Sequence, residues 1–159
     1  MKPQSIQTER VDDIPLLFHQ LKKMGIQELI DSYWDHHGNW CGLSRGWITL
    51  IWLIYIVSQA DHRMVVVHDW VKSKEKLLSE LCGRRVQAKD FTNDRLGKVL
   101  QCLSNDAKWE AFETEQGRQI IQVYRLKKEA IRVDIVFQKR FWNYATIAET
   151  SVGVVILSR

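Results

Sequence analysis

The chain has 159 residues, 45% apolar and 26% charged, which excludes intrinsic disorder and allows one ordinary domain or one domain plus the start of another. Its net charge of +4 permits a nucleic-acid or membrane-surface partner without requiring one. Cys41, Cys82 and Cys102 are odd in number, widely spaced and free of any CxxC pair, which argues against a disulfide framework and a zinc site.

Residues 1–10 are polar and lack the apolar core of a secretory signal, so we expect a soluble cytoplasmic protein. Asp12 and Asp13 then precede a stripe of Ile14, Leu17, Phe18 and Leu21, the i, i+3, i+4, i+7 pattern of a helix. Pro15 suits its first turn and Gly25 closes it. Ile26, Leu29, Ile30 and Tyr33 form a second stripe, broken by the loop His36-His37-Gly38-Asn39-Trp40-Cys41-Gly42. Ser44 is placed to cap a helix over residues 47–57, apolar on nearly every side and read as the central helix. Its β-branched residues leave a buried strand as the alternative. At ~1.5 Å per residue it spans roughly half of a ~30 Å hydrocarbon core, so a membrane span is not expected.

Asp61-His62-Arg63 opens a short segment ending near Trp70-Val71. Residues 72–82 read as another short helix with Leu77, Leu78 and Leu81 facing inward, stopped by Gly83. Lys72, Lys74 and Lys76 on it are expected to be solvated. Residues 84–89 form a basic connector. Thr92 is placed to cap a helix with an inner stripe of Leu96, Val99, Leu100 and Leu103, and Asp94 and Lys98 stand four apart on its outer face. A last helix restarts at Ser104-Asn105-Asp106 and carries Trp109, Phe112, Ile120 and Ile121, weakened in the middle by Gly117. Residues 130–137 and 152–157 then read as strands that could pair. The expected fold is therefore mainly α, a multi-helix domain over residues 1–128 followed by a short β-containing stub over residues 129–159.

The five histidines show no HxxxH or HExxH spacing, and His36 and His37, being adjacent, point apart, so no metal site is expected. Trp34, Trp40, Trp47, Trp52, Trp70 and Trp109 fall mostly on apolar faces and are read as core. Arg84, Arg85 and Lys89 lie just before a helix start, where arginines and backbone N–H groups favour phosphate. Arg95 flanks the apolar stripe, and Lys98 and Gln101 point outward, which would set that helix against a DNA groove. An exposed face with Lys98 paired to Asp94 is the plainer reading. Asp134 stands out as a strand-borne carboxylate, a residue type that two-metal phosphoryl transfer needs in groups of about three. Glu149 is the only acid after it, so two divalent ions are not expected here. The plainer reading of Asp134 is an aspartate on an edge strand.

Several stretches resemble the N-terminal part of bacterial insertion-sequence transposases of the DDE type. They are Thr8-Glu9-Arg10-Val11-Asp12-Asp13-Ile14-Pro15, His37-Gly38-Asn39-Trp40 and Gly42-Leu43-Ser44, then Asp61-His62-Arg63, Asp90-Phe91-Thr92-Asn93-Asp94-Arg95-Leu96 and Lys108-Trp109-Glu110-Ala111-Phe112. The resemblance covers roughly residues 1–134 and implies a helical domain running into the first strand of an RNase H-like catalytic domain. It implies that Asp134 is the first, vestigial carboxylate of a catalytic triad whose two other members have no counterpart here. It also implies that divalent ions such as Mg serve only the full-length enzymes. Ile135-Val136-Phe137 replaces the usual Ser or Thr residues, and a frameshift just after Asp134 is the expected cause. The implied function is a DNA-binding or assembly domain, catalytically incomplete, with the element's ends, a second copy of itself or an intact transposase as its partner. The alternatives are a helical protein-interaction module and a non-functional remnant, both without DNA affinity.

Overall fold

The computed structural model describes residues 11–34, 40–126, 132–134 and 153–155, and among these the protein is mainly helical. The chain divides into two compact units, Met1–Gln119 and Ile120–Arg159. The first holds the cores described below.

Helix α1 (Ile14–Lys23) starts behind Asp13, as its stripe requires, but Asp13 makes no capping bond. Its carboxylate accepts instead from Ser58 Oγ at 2.6 Å, and Asp12 pairs with Lys74 at 3.8 Å. The two aspartates therefore tie the start of α1 to the end of the third helix and to the junction between the fourth and fifth, both distant in the chain. Gly25 takes a left-handed conformation (φ +70°) and turns the chain directly into α2 (Ile26–Tyr33).

Helix α3 (Arg45–Gln59) is the central element, and the strand alternative is closed. Ser44 accepts from Trp47 N at 3.4 Å, the expected cap. A second acceptor was not foreseen: the Asp31 carboxylate takes Gly46 N at 2.8 Å and Ser44 Oγ at 2.6 Å. It places negative charge at the positive end of α3 and locks α2 against it. Gly46 is required at this crossing, because a Cβ there would overlap the Gln27 carbonyl oxygen and the Asp31 side chain. Ile48, Leu50, Ile51 and Ile54 are fully buried. Each contributes roughly 2 kcal/mol by leaving water.

Ala60, left-handed, ends α3, and Asp61 and Arg63 form a fork with three side-chain bonds of 2.8–3.0 Å. The Arg63 bonds hold the Asp61 carboxyl well below the usual carboxylate range. Burial first, and then the Asp61 carboxylate, push the Tyr55 phenol up. The corner sets α4 (Met64–Lys72) at 96° to α3. No single helix among the described residues is long and apolar enough to cross a membrane.

The helix expected over residues 72–82 is shorter, because α4 runs to Lys72 and α5 begins at Glu75 (Glu75–Cys82). Lys74 at the junction is buried and turned to Asp12, which corrects its reading as a solvated lysine. Lys72 and Lys76 are exposed. Gly83, left-handed at φ +62°, ends α5 as expected. The basic connector contains an unforeseen 3-10 turn, Ala88–Phe91, with Phe91 fully buried.

Helix α6 (Asn93–Leu103) is capped by Thr92, which accepts from Arg95 N at 3.4 Å. Leu96 and Val99 are buried as expected. Leu100 is 47% exposed, because it borders an open apolar hollow. Helix α7 (Asp106–Val123) is capped by Asn105, whose Oδ1 accepts from Lys108 N at 3.0 Å, and it passes Gly117 unbroken. Gln116 donates to the Met24 carbonyl at 3.0 Å, fixing α7 to the α1–α2 turn.

Two cores result. The larger surrounds α3 with Ile14, Val67, Leu78, Phe91 and Leu96, and the smaller joins Ile26, Leu29, Ile30 and Trp34 to Phe112. Trp34, Trp47 and Trp52 are core residues, as read from the sequence. Trp109 is not, being 37% exposed. In the second unit β1 (Arg132–Asp134) pairs antiparallel with β2 (Gly153–Val155). The remainder of the two expected strand runs lies outside the described residues.

Candidate nucleic-acid interface

The connector after α5 is extended from Arg85 to Gln87 and then enters the 3-10 turn at Ala88. Val86 and Ala88 turn inward and are buried. Their backbone is pinned to α5, with Val86 N donating to Ser79 Oγ at 3.0 Å and Ala88 N to Glu75 Oε1 at 2.7 Å. Arg85 on the extended part and Lys89 on the 3-10 turn are exposed, and Gln87 partly so. Arg84, also exposed, lays its guanidinium over Trp47, 5.0 Å from the ring centroid. Lys22 stands over the same indole at 4.9 Å and pairs with Glu28.

These groups open onto a hollow of about 530 Å³, closed on another side by Cys41, Gly42 and Leu43. Arg84, Arg85, Lys89 and Arg95 all line it. Sequence adjacency brings the first three together; the fold adds the fourth. Lys98 and Gln101 are exposed on α6 but do not line the hollow. No ion pair joins Lys98 to Asp94, so that expected contact is absent among the described residues.

Arg95 differs from the others. Its guanidinium meets Asp90 Oδ1 at 3.4 Å, donates to the Leu43 carbonyl at 3.4 Å and lies over Trp40 at 4.7 Å. Arg45 covers Trp40 as well, at 5.0 Å. Arg95 therefore clamps the loop before α3 onto the 3-10 turn. Its counter-ion Asp90 is buried, and Gly42 allows the close approach: at φ +89° a Cβ would overlap Asp90 Oδ1. Trp40, Gly42 and Asp90 stand in the stretches that carry the resemblance, but nothing in their spacing marks them as a clamp. The five-residue step from Asp90 to Arg95 across the Thr92 cap is the one signal.

Arg84, Arg85 and Lys89 have no carboxylate partner among the described residues, and Asp90, the one acid lining the hollow, is taken by Arg95. The arrangement presents three uncompensated cations to one concave space. It can bind an anion.

A second hollow, of about 460 Å³, lies between α2, α3, α6 and α7, with Met64 of α4 at its edge. Its walls are apolar, including Ile30, Leu53, Ile56 and Phe112, and exposed Leu100 and Trp109 contribute to them. No group of three or more His, Cys, Asp or Glu among the described residues could hold a metal ion. His62 is exposed and His68 meets Asp69 at 3.0 Å, while His36 and His37 lie outside the described residues. Asp134 closes β1.

Residues 6–114, 109 of the 159, match the profile of a family described as a domain of unknown function (DUF4277). No curated protein and no solved structure matches the chain.

Proposed function

The chain belongs to the DUF4277 family, and from that premise we propose that its helical unit is a nucleic-acid-binding domain of an insertion-sequence transposase of the DDE type. The observation that carries the binding is the hollow with three uncompensated cations, Arg84, Arg85 and Lys89. The transposase context comes from the sequence resemblance alone. On this reading β1 is the first strand of the RNase H-like domain and Asp134 its first carboxylate. The described residues offer no ligand set for two divalent ions.

Cationic contacts to phosphates release counter-ions, so binding must weaken as salt rises. Fluorescence anisotropy of labelled duplexes across a salt series tests the reading, with one duplex carrying the element's terminal repeat and one scrambled. Salt-sensitive binding is expected, and tighter binding to the repeat would make this an end-reading domain. No binding at low salt overturns it.

The apolar hollow favours a second reading, a helical protein-interaction module that packs on another protein through Leu100 and Trp109. Leu100→Ser with Trp109→Ser should then abolish an association seen by sedimentation without changing DNA binding.

A further inference from the structure

The charge balance of the basic hollow distinguishes the end of a strand from its middle. Arg84, Arg85 and Lys89 bring three positive charges to one space, with Asp90 already neutralised by Arg95. An internal phosphodiester supplies a single negative charge and two free oxygens. A terminal phosphomonoester carries about −1.5 to −2 at neutral pH and three strong acceptor oxygens. Two guanidinium groups and an ammonium match that acceptor set far better than they match a diester.

Shape points the same way. Duplex phosphates lie on a convex cylinder and meet a protein along a surface. A phosphate at a strand end projects beyond its last sugar and enters a concavity of about 530 Å³ without any base leaving its stack. The backbone that carries the cations is also fixed in advance, and Arg84 is held at its side chain. Arg84 rests on Trp47 at 5.0 Å, and Arg85 and Lys89 flank Val86 and Ala88, whose backbone is bonded to α5. Little side-chain freedom is left for Arg84 to lose on binding.

We infer that the hollow receives the terminal phosphomonoester of a nucleic-acid strand, with Arg84, Arg85 and Lys89 as its ligands and Arg95 as the positioning residue that holds the opposite wall. This rests on the reading of the hollow as a nucleic-acid site and names the part of the strand it takes.

The test uses the full chain and one short single-stranded oligonucleotide, labelled internally, in three forms: 5′-phosphorylated, 3′-phosphorylated, and hydroxyl at both ends. At fixed moderate salt, at least one phosphorylated form should bind about tenfold more tightly than the hydroxyl form. Arg85→Ala with Lys89→Ala should erase that preference while thermal unfolding stays unchanged. Equal binding of all three forms overturns the inference and leaves the nucleic-acid reading standing. Binding of none at low salt overturns both. A preference that survives the double substitution overturns the assignment to this hollow. Displacement of the strand, mole for mole, by a nucleoside monophosphate would identify a free nucleotide as the ligand and overturn the strand end.

Discussion

The two hollows of the helical unit are similar in volume and opposite in origin. The basic one draws its cations mainly from one continuous stretch, residues 84–95, with a short loop at 41–43 as its far wall. The apolar one is assembled from residues scattered between Ile26 and Gln116, on five helices. The first is local chemistry, exposed by a short connector and the 3-10 turn that follows it. The second is the space left where α7 leans on α2 through Trp34 and Phe112, whose rings are 5.7 Å apart. Charge can therefore be concentrated by sequence alone, while an apolar concavity needs the helices to be placed first.

The largest effect should come from breaking the apolar side. Phe112→Ala removes a nearly buried ring from the smaller core and should cost about 3 kcal/mol in urea unfolding. DNA binding by the protein that remains folded should be unchanged. A parallel loss of binding would show that the two hollows are coupled.

Asp90→Ala comes next, because it leaves the Arg95 guanidinium without its counter-ion. A loss of about 2 kcal/mol is expected, together with steeper salt dependence of DNA binding as the freed Arg95 adds to the basic wall. Unchanged stability would mean that the clamp between the loop and the 3-10 turn contributes nothing.

Arg85→Ala should leave stability within about 0.5 kcal/mol of the parent. It should lower the slope of log affinity against log salt by about 1. Lys98→Ala, outside the hollow, should leave that slope alone. An equal drop for both would favour α6 lying against a DNA groove, as its outer face alone would imply.

The smallest effect is chemical. Burial pushes the Cys82 thiol up to about 12, whereas Cys41 is exposed in the wall of the basic hollow. A thiol reagent near pH ~8 should therefore modify Cys41 first and Cys82 last, since the thiolate is the reacting form. Bound oligonucleotide should slow the Cys41 reaction. Undiminished labelling of Cys41 in the complex would remove the loop from the interface.

Much of the helical order was legible in the chain. The stripes of α1, α2 and α6, the Ser44 and Thr92 caps, the Gly83 stop and the cationic run after it follow from local periodicity and backbone preference. Both quantities act over one or two turns. Long-range partners were not legible. Asp31 beneath Gly46, Lys74 turned to Asp12, and Arg95 clamped between Asp90 and Leu43 join residues 5 to 62 positions apart. The same holds for Leu100, whose stripe position is apolar by period and exposed in space.

The sequence by itself determined where helices start and stop and where positive charge accumulates, because propensity, capping and covalent adjacency are local. Only the tertiary structure decided which cations stay uncompensated, since pairing depends on which carboxylate the fold brings near. Asp90 goes to Arg95, and Arg84, Arg85 and Lys89 are left to face the hollow.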